Sequence, residues 1–336
     1  MANDISELID TSNPEVRDYL SLIRLQVLTP LSVLINIVTV LICTFVVNPS
    51  IGRVTAQHPT SISPNIAVVA IYVLVLYVGQ IGYCILLVLA RKEDTKKALV
   101  KAVGHPLVFA NWLMAFWAIA WVMQWFLVST VLLGILLLML IYSNLALLVY
   151  HPPTKDRPLD TLLIHAPLRF FLVLPLVLMF PNALFVTLGL TYDPAHPEQY
   201  SMHPWSGFGV VFGANLIAWL VVLTRRDIVL TVAGTWICAA IWSARPKPVP
   251  VYVTVIIFTV LHPLGLFCAL VHHHFMSKRR SRQNGDIALP PDAEEGHAPA
   301  YASHHQQYEQ ERAAREQRLQ SSGAREIDPD QIFGSG

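Results

Sequence analysis

Leu107–Tyr150 reads LVFANWLMAFWAIAWVMQWFLVSTVLLGILLLMLIYSNLALLVY and contains no Asp, Glu, Lys or Arg. At about 1.5 Å rise per residue, a single straight helix of this length would be roughly twice the ~30 Å thickness of a bilayer's hydrocarbon core. The stretch therefore reads as two membrane helices joined by a turn near Gln124–Val128. The composition of the whole chain agrees. Charged residues make up 13% of its 336 residues, about half the ~25% usual in soluble domains. Mean hydropathy is +0.51. The expected class is all-α: a polytopic membrane helix bundle of about eight transmembrane helices with a disordered cytoplasmic C-terminal tail.

Working outward from that pair, apolar runs bounded by Pro, Asn and charged residues give spans at about 31–47, 65–90, 107–125, 127–150, 167–190, 207–224, 227–243 and 251–275. Residues 1–24 form a polar N-terminal segment, partly helical from the start signal Asn13-Pro14-Glu15. Its apolar stripe Val16, Leu20, Ile23, Val27 fits a surface helix ended by Pro30, or an extension of the first span. Residues 25–276 are the bundle. Residues 277–336, rich in Pro, Gln, Ser, His and charge, lack the apolar content to fold alone. With eight spans, twenty of the 23 Lys and Arg fall on the side of the termini, leaving Arg53, Arg245 and Lys247 opposite. The positive-inside rule then makes both termini cytoplasmic.

The interior of the spans holds no Lys, Asp or Glu. Proton- and ion-coupled carriers generally keep an ionisable group near the midplane, so that class is disfavoured. No nucleophile–base set, phosphate-cradling loop or nucleic-acid pattern is visible, and an enzyme is not expected. The four cysteines lie in apolar runs without ligand spacing and read as free buried thiols. His272-His273-His274 point about 100° apart on a helix and cannot share one metal. No cofactor or metal is expected. Arg169 lies at a span end and reads as a snorkelling side chain.

What remains is a pattern suited to binding. Trp117, Trp121 and Trp125 recur at i, i+4 and i+8, a spacing that lines up indoles on one helix face. Pro175 and Pro181-Asn182 interrupt span five, and interrupted helices line cavities in membrane proteins. Pro263 frees a backbone carbonyl one turn earlier that His262 could cap. A small apolar cavity near spans three, five and six, with Trp117, Trp121, Trp125, Asn182, Asn215 and His262 as candidate ligand contacts, would accept a flat apolar molecule. The competing account is packing: interhelical hydrogen bonds of about 0.6–2 kcal/mol explain such polar residues without function. Lys278, Arg279, Arg280 and Arg282 are candidate contacts for anionic lipid.

Roughly residues 25–276 resemble a fungal family of multi-pass membrane proteins of undefined function. More distantly, Asn111-Trp112…Trp117…Trp121, Leu127–Tyr142, Ala214-Asn215-Leu216…Trp219 with Arg225-Arg226-Asp227, and Gly234-Thr235-Trp236…Trp242 are similar to heptahelical relatives of the tryptophan-rich sensory or translocator proteins. Where that superfamily has a Pro followed by an aromatic and Gly-Trp, this chain has Pro167-Leu168-Arg169-Phe170-Phe171. The resemblance implies a helical bundle able to accept a sterol, porphyrin or lipid ligand, in a vacuolar or endoplasmic reticulum membrane. Two other readings fit the sequence. One is a structural subunit or assembly factor that meets membrane protein partners through its tail. The other is a facilitator for a neutral solute.

Overall fold

The computed structural model describes residues 14–89, 99–150 and 161–285. The expected cap at Asn13, the charged hairpin at 91–97 and the expected disordered tail beyond 285 lie outside them. The chain falls into two compact units, Met1–Phe275 and Met276–Gly336, and the bundle belongs to the first.

All the regular structure in the described residues is helical. In chain order the α-helices are α1 (Pro14–Phe45), α2 (Ile51–Gln57), α3 (Ile66–Leu89), α4 (His105–Val122), α5 (Phe126–Tyr150), α6 (Ala166–Leu174), α7 (Phe180–Thr187), α8 (Pro204–Arg225), α9 (Ile228–Trp242) and α10 (Val249–Gly285). Among the described residues, seven helical stretches are long and apolar enough to cross a membrane. They show large apolar side chains on their outer faces. On α1 these are Val27, Leu34, Leu41 and Phe45, and on α10 Val253, Val260, Leu264 and Phe267. Exposed apolar surface on this scale is untenable in water and is what a bilayer requires. The chain is an integral, multi-pass membrane protein.

The seventh expected span, at 227–243, is the exception. α9 has only 15 residues, a rise of about 22 Å at 1.5 Å per residue. It runs between α8 and α10 and packs on α3 and α6 as well as α8. Leu230, Ala233, Ile237, Cys238, Ala240 and Ile241 face inward, and Ile228 and Val232 face out. A helix this short is held by its ends, described below.

Proline acts differently from the sequence expectation at three places. Pro30 lies inside the continuous helix α1. Its ring removes one helix donor without ending the helix, and the first apolar span begins at Leu20 instead of Leu31. Span five is not interrupted by Pro175 and Pro181. Its helical path runs from Thr161 to Thr187, with π-turns at Thr161–His165 and Pro175–Met179. Pro181 has no N–H for the ladder, and the Phe180 N–H reaches back five residues to the Pro175 carbonyl. The extra residue in that turn absorbs both prolines without opening the helix. Pro263 lies inside α10, as the expected span at 251–275 has it.

α4 is, after the Thr161–Thr187 stretch, the most enclosed of the crossing helices and packs on α1, α2 and α5. The turn after it is shorter than expected, three residues from Met123 to Trp125, with Gln124 in the left-handed region at φ 61°. α3 joins the other half of the bundle. The Tyr72 hydroxyl donates to the Phe170 carbonyl at 2.8 Å, and the Tyr72 ring stacks on Phe170 and meets Trp236 edge-on. The Trp236 indole donates to the Val68 carbonyl.

Candidate functional site

The interior of the α1–α3–α4 side begins with a polar bridge. The Asn36 amide donates to Asn111 Oδ1 at 2.8 Å, and the Asn111 amide donates to the Leu107 carbonyl at 3.0 Å. The Tyr77 hydroxyl reaches Asn36 Oδ1 at 3.4 Å. All three side chains are buried, and the Asn36–Asn111 and Tyr77–Asn36 bonds each close one helix on another in a medium with no water to compete.

Two turns along α4 from Asn111, Trp117 and Trp121 stack with ring centroids 6.1 Å apart and planes 28° from parallel. Trp121 meets Phe126 edge-on at 5.4 Å, and Phe126 meets His58 edge-on at 4.8 Å. Four rings thus form a file from the bundle interior to the segment between α1 and α3. The Trp121 indole N–H donates to Thr55 Oγ1 of α2 at 3.3 Å. The Trp117 indole N–H is buried and has no acceptor among the described residues. An indole can only donate, so this N–H is an unmet polar demand inside an apolar wall.

Residues 58–65, between α2 and α3, lie across this end of the bundle as a strap. Thr60 Oγ1 donates to Asn182 Oδ1 at 2.7 Å, and the Tyr192 N–H donates to the Pro59 carbonyl at 3.1 Å. The Asn65 N–H donates to the Ala240 carbonyl at 2.7 Å. Ser61 presses on Gly207 at the start of α8, where a Cβ would also come within 2.8 Å of Val251. The buried Lys247, in the link between α9 and α10, donates from Nζ to the Ser63 carbonyl. The strap therefore touches α7, α8, α9 and that link at once.

At the opposite end of α9 lies an ion pair that the sequence reading did not find. Arg169 of α6 does not snorkel. Its guanidinium pairs with Asp227, the N-cap of α9, and both side chains are buried. Asp227 also accepts the Leu230 N–H at 3.1 Å, and its carbonyl accepts the Thr231 hydroxyl at 2.8 Å. Arg226, in the left-handed region at φ 54°, ends α8.

The predicted contacts separate into groups. Trp117 and Trp121 come together. Trp125 does not join them: α4 stops at Val122, and Trp125 sits in the turn, 55% exposed. Asn182 holds the strap. Asn215 of α8 accepts from the Cys238 thiol at 3.1 Å and donates to the Val211 carbonyl at 2.8 Å. His262 of α10 bonds Phe258, not the Thr259 carbonyl that Pro263 frees, through Nδ1 at 2.8 Å, and its Nε2 lies over Gly234 of α9. Asn215 and His262 thus pack around α9, away from the helices that enclose α4. The expected cavity near spans three, five and six is not the arrangement seen, because α4 turns to α1, α2 and α5 instead. Lys278 and Arg279 are exposed; the side chains of Arg280 and Arg282 are outside the description. Of the four cysteines, Cys43 and Cys238 are buried, Cys84 is half-buried, and Cys268 is exposed on α10 instead of buried.

Thr55, His58 and Phe126 carried no sequence signal. Lys247 carried one that went unread: a lysine between two prolines, on the side almost without cations.

A family model described as TSPO-like protein matches residues 26–269. No curated protein and no solved structure matches the chain.

Proposed function

The chain belongs to the TSPO-like protein family, and from that premise we propose that it is a non-enzymatic membrane protein that holds a flat apolar molecule of sterol or porphyrin kind against the Trp117–Trp121 pair. The observation that carries this reading is the Trp117 indole N–H, buried without an acceptor among the described residues and beside a stacked neighbour. A buried unpaired donor costs about 1–3 kcal/mol, and a ligand oxygen or ring nitrogen would remove that cost while its flat body covers the indole face. Trp121 is the fixed part of the wall, because Thr55 and Phe126 hold it. Both termini face the cytoplasm in this reading, with Lys278 and Arg279 at the anionic headgroups. With the short α9 counted as an eighth crossing, twenty of 23 Lys and Arg fall on one side, which supports that orientation.

The test is titration of the purified protein in nanodiscs with protoporphyrin IX and, separately, with a fluorescent cholesterol analogue. Trp117→Phe keeps the apolar face and removes the N–H. It is expected to weaken binding about fivefold, the worth of one hydrogen bond of ~1 kcal/mol. Trp117→Ala should weaken it further. Equal affinity in the wild type and Trp117→Ala for both probes would refute the assignment.

A further inference from the structure

The strap is held by contacts of two kinds. The bonds from Asn182, Ala240 and Tyr192 are neutral and indifferent to pH. The bond from Lys247 is not. Its amine is buried and its hydrogen-bond partner is one backbone carbonyl, Ser63. No carboxylate lies within 4 Å of it among the described residues. The titratable and charged groups on the elements that meet here are turned elsewhere. Arg245 lies over the Tyr252 ring and bonds its hydroxyl. His58 is against Phe126. Asp193 and His196 pair with each other in the open at 2.9 Å. Tyr192 meets the strap through its backbone N–H. A charged ammonium in such a place loses most of its hydration and gains no countercharge.

We propose that Lys247 is a proton-operated latch on the strap: neutral, it sits under Ser63 and the strap stays down; charged, it draws water in and the strap lifts from the end of the bundle. The inference does not depend on the Trp pair binding anything. Burial lowers the Lys247 amine from its ordinary 10.5 to about 7 when the strap is down. With the strap lifted, the amine returns to the ordinary value. A base whose value falls on closure favours the closed form at high pH. Closure should therefore weaken about tenfold per unit as pH falls from about 10 to about 7, and stop changing below that, where the amine is charged in both forms. His58 is also lowered by burial, so its titration lies below 6.5 and outside this window.

Hydrogen-exchange protection of the amides at 58–65, corrected for intrinsic exchange, reads the closure equilibrium directly in nanodiscs between pH 6 and 9.5. Wild type should rise about tenfold per unit above pH 7 and be flat below it. Lys247→Met should be flat and strongly protected throughout. Lys247→Arg, charged at every pH, should be flat and weakly protected. A wild type with flat protection overturns the proposal without any variant. So does either variant with the wild-type slope. Protection of α4 amides in the same spectra reports whether each variant has folded.

Discussion

Asp227→Leu is expected to destabilise the bundle by about 3–5 kcal/mol, because it leaves the Arg169 guanidinium buried without its partner. Arg169→Met alone should cost about as much for the mirror-image reason. Asp227→Leu also removes the cap of α9, worth about 1 kcal/mol by itself. The double variant Arg169→Met/Asp227→Leu should recover most of the loss, since a buried ion pair and a well-packed apolar pair of similar volume are often nearly equivalent. Thermal unfolding in a mild detergent, followed for the two single variants and the double, measures the coupling. Simple addition of the two single losses would show that the pair does not act as a unit. The large expected effect comes from position. The pair fastens α6 to the first turn of α9, the helix too short to anchor itself by length, and both side chains are enclosed.

The second large effect concerns one face of α4. Trp121→Ala should cost about 3–5 kcal/mol, the usual range for emptying a buried indole site. Trp121 is 2% exposed and touches Trp117, Phe126 and Thr55, so no neighbour can fill the gap without leaving another contact. Trp125→Ala, four residues on, should change stability by no more than about 0.5 kcal/mol, because that ring stands out from the turn. Denaturation of the two variants side by side decides the matter. Equal losses would mean that the two rings share one environment.

That contrast shows where the sequence stops being informative. Trp121 and Trp125 carry the same helical spacing, and nothing local says that α4 ends between them. The membrane helix bundle was legible because hydropathy measures a length, and a bilayer demands one. The family resemblance was legible in Asn111-Trp112…Trp117…Trp121 and its companions, and the match over residues 26–269 bears it out. The pairings were not legible. Arg169 and Asp227 are far apart in the chain and meet only because α6 and α9 pack together. The prolines were over-read. In water Pro175 and Pro181 end helices, but in a bilayer a broken ladder costs more than a π-turn, so the helix continues.

The brevity of α9 also bears on the kind of bilayer this protein fits. Its apolar length of about 22 Å is several ångströms less than even a thin endoplasmic-reticulum-like core of ~27 Å, and about 10 Å less than a sterol-rich plasma membrane. Ile228 and Val232 expose it to lipid, so a thick bilayer would press acyl chains against the polar ends of the helix, at fractions of a kcal/mol per Å of mismatch. The molecule is therefore expected to respond to membrane thickness. Reconstituted in phosphatidylcholines of increasing chain length, it should lose thermal stability as the chains lengthen. A midpoint that climbs steadily with chain length would remove α9 as the limiting element.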